Sequence, residues 1–394
     1  MKTIKKSVFA FVIALLTLIS FTSNAQDSSR LRVSLITCSP GEELYSIFGH
    51  SAIRIVDSNN VVDYVFNYGT FDFNDPNFYI KFVKGKLLYF VSLERTNDFI
   101  EFYKYENRSV SEQVLSLTAS EKINIKKALI ENLKEENKFY KYDFFLDNCT
   151  TRLRDIIVKY KTPTPILPAV MPENTSFRKA IHKYLREGGQ YWSELGIDIL
   201  LGAPTDRIMT ASEQQFLPNN LEKSIDKCTN TKLVAEKTTI FQNQIIESGF
   251  DFFKPSILFI ILFLFVAALY KKKTVIATKS LLVFDVILFF AIGIVGIVLV
   301  LAWFATDHTM TKNNYNLLWA LPTHILAPFF IFFKSKFSKY YFGVTSLFSS
   351  LLIFSWLFLP QELNTALLPI VMIILVRSYM HYNSYNTAKS SHEA

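Results

Sequence analysis

Residues 31–37 run Leu-Arg-Val-Ser-Leu-Ile-Thr, an alternation of apolar and polar side chains with a period of two that predicts a strand with one buried face. Residues 51–56, 61–68 and 86–93 are likewise rich in β-branched and aromatic side chains. Between the first two of these, Asp57-Ser58-Asn59-Asn60 has the composition of a hairpin turn. This region is therefore expected to be mostly antiparallel sheet. Past it the period changes. From Ser120 to Asn137 a Ser cap with Glu121 opens a helix whose Ile123, Ala128, Leu129 and Leu133 make one apolar stripe. Thr150 to Tyr160 predicts another helix, beginning at Cys149. Residues 163–220 alternate Pro-rich loops with short helical runs, which fits a lipid-facing collar as well as a second subdomain. Residues 221–251 are polar and read as a linker or a helix leading into the first apolar span.

From Phe252 onward the pattern is Leu, Ile, Phe and Val broken by short polar stretches, and five spans fit: about 252–270, 281–304, 317–333, 341–359 and 363–379. The third is short and holds Pro322 and Pro328, so a kinked or partly re-entrant segment is expected. Lys271, Lys272, Lys273 and Lys279 fill the first connection, and Lys334, Lys336 and Lys339 the third. These connections should face the cytoplasm, with the soluble domain outside and the C-terminal tail inside. Trp303 and Trp319 fit interfacial anchors.

The N-terminus gives the same orientation. Lys5 and Lys6 precede the apolar run Val8–Ile19, and Ser23-Asn24-Ala25 supplies a small-residue cleavage site, so residues 1–25 read as a secretory signal. Residues 26–250 are enough for a periplasmic domain with a full core, 251–380 form the transmembrane domain and 381–394 a cytoplasmic tail. The net charge of +8 is spread over the signal, the cytoplasmic connections and the soluble domain. No stripe of Arg interleaved with aromatics suggests nucleic acid, and topology and anionic headgroups account for the charge better.

Three cysteines in an oxidising compartment allow one disulfide and leave one thiol. Cys38 and Cys228 are a possible pair, leaving Cys149 free. That thiol opens a helix, where exposed N–H groups and the positive end of the helix dipole favour a thiolate and can hold an oxyanion. Upstream, His50 is the only histidine of the β-rich half and opens a strand just after Gly49. A strand histidine before a helix-cap cysteine is the chain order of circularly permuted papain-like folds. Cys149 is thus the candidate nucleophile and His50 its base. Asn67 is the first choice for the group that orients the imidazole, with Asp63 and Tyr64 behind it. Tyr45, Asn148, Asp307 and His308 are candidate substrate contacts, the last two in an outward connection. No second His, Cys or carboxylate stands near His50 at ligand spacing, so neither metal nor cofactor is expected.

Phe48-Gly49-His50-Ser51-Ala52, Asn67-Tyr68-Gly69, Asp147-Asn148-Cys149-Thr150, residues 196–202 with Asp206-Arg207, Thr306-Asp307-His308 and Asn316-Leu317-Leu318-Trp319 together resemble the Lnb family of lipoprotein N-acyltransferases from Bacteroides-like bacteria. The resemblance covers nearly the whole mature chain. It implies an α+β fold: a periplasmic domain similar to NlpC-type peptidases and lecithin:retinol acyltransferases, of the permuted papain-like kind, then an all-α domain of five spans. It maps nucleophile and base onto Cys149 and His50 and gives no match for the third group. It further implies a multi-pass protein of the inner membrane that moves an acyl chain from a membrane phospholipid, through a Cys149 thioester, to the α-amine of a diacylated lipoprotein. The fold alone would equally allow a membrane-tethered cysteine peptidase or amidase acting on peptidoglycan peptides. Were Cys149 merely structural, a non-catalytic envelope lipid-binding protein would remain.

Overall fold

A computed structural model describes residues 30–244, 253–333 and 335–390; the expected signal, residues 1–25, lies outside them. Among the described residues, seven strands, β1 (Leu31–Cys38), β2 (His50–Asp57), β3 (Val62–Thr70), β4 (Leu88–Arg95), β5 (Val110–Leu115), β6 (Phe139–Lys141) and β7 (Val234–Phe241), form one antiparallel sheet in the order β6-β4-β3-β2-β1-β5-β7. The helices that accompany it are α1 (Phe78–Val83), α2 (Thr96–Tyr105), α3 (Ala119–Asn132), α4 (Cys149–Tyr160), α5 (Phe177–Glu187), α6 (Tyr191–Leu200), α7 (Ala211–Gln214) and α8 (Pro218–Asp226).

Both sheet faces are covered. Phe99 and Tyr103 of α2 pack on Ile36, Cys38, Ala52, Val65 and Val110. On the other face, Ile125 and Leu129 of α3, Leu153 and Ile157 of α4 and Leu221 and Ile225 of α8 pack on Val33, Leu35, Ile53 and Ile55. Helices on both sides bury both faces of central β1, where its alternation predicted one, so that Ser34 and Thr37 are buried along with the apolar residues. The β2–β3 hairpin turns where expected: the Asp57 carboxylate accepts from the backbone N–H groups of Asn59 and Asn60.

Local differences from the sequence reading have physical causes. The cap of helix α3 is Thr118, two residues before the expected Ser120, because Thr118 and Glu121 close a reciprocal capping box, worth about 1 kcal/mol. Residues 221–251 are not a linker throughout. They begin inside α8 and contain β7, whose solvent-facing residues pair with β5 along one edge and so lack an apolar signature. Cys38, Cys149 and Cys228 are all free, so the possible Cys38–Cys228 pair is not formed. Cys38 is fully buried under α2, whereas Cys228 follows α8 on the opposite face.

The C-terminal part comprises α9 (Pro255–Lys272), α10 (Val275–Phe304), α11 (Ala327–Phe332), α12 (Lys336–Ser355) and α13 (Leu368–Ser390). Among the described residues, four segments are long and apolar enough to cross a membrane: Pro255–Lys272, Val275–Phe304, Tyr315–Phe332 and Thr365–Ser384. Helix α12, on the fourth expected span, has the length, but its Lys, Ser, Thr and Tyr residues keep it out of that set. The third segment is broken as its prolines predict, into two 3-10 turns and the short α11. Gly293 and Gly296 of α10 lie against it; a Cβ at either would overlap the backbone of Ile325 or Ala320. The two glycines thus let the irregular backbone of this segment pack directly on α10. Helix α13 continues through the expected tail to Ser390. Buried Asp285 takes both Arg377 (2.7 and 2.6 Å) and His381 (2.7 Å), tying α10 to α13. Trp319 is no interfacial anchor: it is buried, and its Nε1 donates to Asn316.

The two parts are joined by many polar contacts. Helix α6 ends with orphan carbonyls, and side chains of the outward connections satisfy them: Asn316 donates to Asp198 O, Asn314 to Ile199 O and Leu200 O, and Gln361 to Leu201 O. Met310 of the same connection inserts beside Phe145, Phe177 and Phe216. The 305–316 and 360–364 connections thus lie on the side of the sheet domain, as the lysine distribution predicts.

Candidate functional site

The N-terminus of α4 is built by Asn148. Its Oδ1 accepts from Thr151 N–H at 2.9 Å while Thr151 Oγ1 accepts from Asn148 N–H at 2.8 Å, and its Nδ2 donates to Phe144 O and Phe216 O. Every polar atom of this buried side chain is engaged in holding the helix start, so the expected substrate contact is a cap instead. Cys149 follows as the first helical residue, with the amides of Cys149 and Thr150 among the first-turn donors that have no intrahelical acceptor.

Positive-φ glycines shape both sides of the thiol. Gly49 (φ +82°) turns the chain into β2 against Cys38 O, and Gly69 (φ +89°) sits at a bulge between β3 and β4. A Cβ at Gly69 would lie 3.5 Å from Cys149 Cβ, 3.8 Å from the Tyr142 ring and 4.0 Å from Tyr140 Oη. No side chain stands in that space beside Cys149.

His50 neighbours Cys149 closely enough that each shifts the other's pKa, and its Nε2 is 2.6 Å from Asn67 Oδ1. The relay extends to Glu94, which accepts from Asn67 Nδ2 at 2.7 Å and from Ser92 Oγ at 3.0 Å. Glu94 fixes the chemistry of the chain. A carboxylate only accepts, so the Asn67 amide must point its NH2 group at Glu94 and its oxygen at His50. The imidazole then carries its proton on Nε2, and Nδ1 is left to take one from the thiol. Register makes the relay: Asn67 pairs with Ser92, and Glu94 stands two residues along on the same face of β4. Asp63, a fallback for the third group, is bound to Arg54 and Thr96 instead.

Burial by itself would raise the Cys149 thiol. The adjacent His50, the Ser51 amide and the Thr150 hydroxyl outweigh it and bring the thiol down to about 7 from an ordinary 9.0. For His50, burial disfavours the charged ring, but the neighbouring thiolate and Asn67 more than offset this, and its pKa is raised. Both shifts favour a thiolate–imidazolium pair. Alkylation of Cys149, followed by mass spectrometry of its peptide, should therefore climb through a midpoint near pH 7, and in His50→Ala the midpoint should move above 9. A wild-type midpoint at the ordinary thiol value would show the pairing to be ineffective.

Two groups near the site carry no sequence signal. Glu94 is one. The other is Tyr140, on the three-residue β6: it is 7% exposed, Arg152 lies 3.6 Å over its ring, and its hydroxyl has no hydrogen-bond partner among the described residues. Of the remaining expected contacts, Tyr45 is 69% exposed in the β1–β2 loop. Asp307 and His308 latch the outward connection to the sheet domain: Asp307 pairs with Lys141 at 2.7 Å and donates its N–H to Lys84 O, and His308 Nε2 meets Phe82 O at 3.1 Å. Elsewhere, buried His182, Glu194 and Asp198 come within ligand-like spacing, where Arg178 and Arg186 supply the positive charge.

The Lnb N-terminal periplasmic domain matches residues 20–170, and the Lnb transmembrane domain matches residues 246–389. No curated protein and no solved structure matches the chain. The first match takes in the whole Cys149–His50–Asn67–Glu94 relay and the second the helices described above. With two domains of one family in series over most of its length, this membrane-anchored protein with a periplasmic N-terminal domain belongs to the Lnb family.

Proposed function

We propose that the protein is a lipoprotein N-acyltransferase of the inner membrane. The observation that carries this reading is a buried thiol beside an imidazole whose tautomer is fixed by Asn67 and Glu94, in a domain bonded directly to the outward connections of a membrane bundle. His50 Nδ1 takes the proton of Cys149, and the sulfur attacks the ester carbonyl of a membrane phospholipid. The oxyanion is held by the first-turn amides of α4 and by Tyr140 Oη. When the carbon–oxygen bond breaks, the lysophospholipid leaves as an alcohol with the proton from His50, and the acyl chain remains as a thioester on Cys149. The free α-amine of a diacylated lipoprotein then attacks, His50 takes the amine proton, the carbon–sulfur bond breaks, and an N-acylated lipoprotein is released. Burial of the thiol keeps water from the thioester between the two steps.

Mass spectrometry of a lipoprotein N-terminus from cells with and without the protein tests the reading: loss of one acyl chain in its absence is expected, and an unchanged N-terminus overturns it. An amidase acting on peptidoglycan would instead leave the lipoprotein intact and change the stem peptides. Tyr140→Phe removes only the partnerless hydroxyl. Losing one oxyanion donor should lower kcat about 100- to 1,000-fold with KM little changed; equal activity in the variant would remove Tyr140 from the mechanism.

A further inference from the structure

The crossover from β3 to β4 carries α1, and its surface is unlike the rest of the sheet domain. Tyr79 is 77% exposed, Val83 63% and Phe82 51%, with Phe73 and Ile80 also turned outward. A contiguous apolar surface of this kind marks a partner. Its position names the partner. Lys84 O accepts from Asp307 N–H, Phe82 O meets His308, and Gly85 abuts the same two residues. Asp307 lies three residues past Phe304, the outer end of α10, where Trp303 and Phe304 stack at 5.0 Å. The aromatic surface is therefore continuous with the outer boundary of the membrane bundle. Exposed Lys84 and Lys86 flank it, as anionic headgroups would favour.

Inward from α1 runs a chain of rings. Phe82 stacks with Phe78 (6.3 Å), Phe78 meets Phe71 (5.8 Å), Phe71 meets Tyr89 (5.3 Å), and Tyr89 stacks on Tyr142 (4.3 Å). Tyr142 borders the opening at Gly69, beside Cys149.

The geometry points to α1 as an element that dips into the outer leaflet, with the Phe78–Phe71–Tyr89–Tyr142 rings forming the surface along which a phospholipid acyl chain reaches Cys149. The insertion stands on the exposed aromatic surface and its contacts with Asp307 and His308 alone, while the chain's destination rests on the acyl-transfer reading. Aromatic rings suit this boundary because they tolerate both headgroup and acyl surroundings.

Photocrosslinking in nanodiscs tests it without catalysis. The full chain carrying Cys149→Ala and p-benzoylphenylalanine at Phe82 is irradiated with phospholipid radiolabelled in its acyl chains; a second protein carries the probe at Tyr79. The control has it at Tyr105, 87% exposed at the end of α2. Labelling at 82 and 79 at least tenfold above 105 is expected, and labelling no higher than at 105 overturns the insertion. In the otherwise native protein, Tyr89→Asp should raise the KM for phospholipid with little change in the pH midpoint of Cys149 alkylation. An unchanged KM removes the ring path while leaving the insertion and the acyl-transfer reading to their own tests.

Discussion

Cys149→Ala in the intact membrane protein should abolish N-acylation, a fall of roughly 10⁴-fold or more, because no other group can carry the acyl chain between donor and acceptor. Cys38 cannot substitute. It is fully buried under α2, and burial drives its thiol far up, whereas His50 and the Ser51 amide bring Cys149 down. The more informative measurement omits the acceptor. Wild-type protein incubated with phospholipid alone should accumulate one acyl chain on the Cys149 peptide, removable by hydroxylamine and absent from Cys149→Ala. His50→Gln should form the adduct far more slowly at neutral pH, since burial then raises the thiol without an imidazole to oppose it. Persistent N-acylation by Cys149→Ala would refute the thioester, and with it the two-step scheme. In Asn67→Ala the thiol and imidazole remain, but the Nε2–H partner is lost. A loss of about 10- to 100-fold is expected there, since general-base catalysis as a whole contributes about 10²–10⁴.

What the amino-acid order revealed was local. The alternation of residues 31–37, the Asn-rich turn at 57–60 and the polar pair Asn148-Cys149 before a helical run each express themselves within a few residues, and the structure has a strand, a hairpin and a helix start there. Non-local features were hidden. Glu94 joins the site only through the register that sets Asn67 opposite Ser92, and nothing near Glu94 in the chain marks that pairing. Tyr140 reads as one more apolar residue ahead of the cysteine. Its lone hydroxyl exists because the short β6 and the stacked Arg152 aim it at Gly69. Strand β7 was concealed by its solvent-facing edge position. Trp319 carries the composition of an interfacial anchor, and only the fold of the broken third segment turns it inward onto Asn316. Asp307 and His308 stand in an outward connection as candidate substrate contacts, but the partners that hold them, Lys141, Lys84 and Phe82, lie more than 160 residues away in the chain.

The largest stability effect should come from Arg178, which is 0% exposed. Its guanidinium donates to Asp198 Oδ1 (2.7 Å), both oxygens of Asp206 (2.9 and 3.1 Å), Thr205 Oγ1 (2.9 Å) and the carbonyls of Leu201 and Gly202. Asp198 also takes His182 Nε2 and, from the connection before α13, Asn364 Nδ2, each at 2.8 Å. One guanidinium thus bridges two carboxylates at the seam between the sheet domain and the membrane bundle. Arg178→Met keeps the length of the side chain and removes the charge, leaving Asp206 without its cation and Asp198 with only His182 and Asn364. Breaking a buried pair in this way costs about 3–5 kcal/mol, which should appear as a fall of about 6 °C or more in the thermal midpoint of the detergent-solubilised protein. The pH dependence separates this from simple loss of packing. In the native protein burial raises Asp198, but His182 and Arg178 outweigh it and hold the carboxyl below its ordinary value; that stabilisation is present above the unfolded pKa and lost as pH falls through the folded one. Asp206 is already raised by burial despite Arg178. Without the arginine both carboxyls rise, so the variant's deficit should be greatest at neutral pH and shrink as the medium approaches the carboxylate range. Arg178→Lys restores the charge without the planar fork and should recover only part of the loss. A deficit in Arg178→Met that stays constant with pH would mean that packing, and not charge, fastens the two parts together.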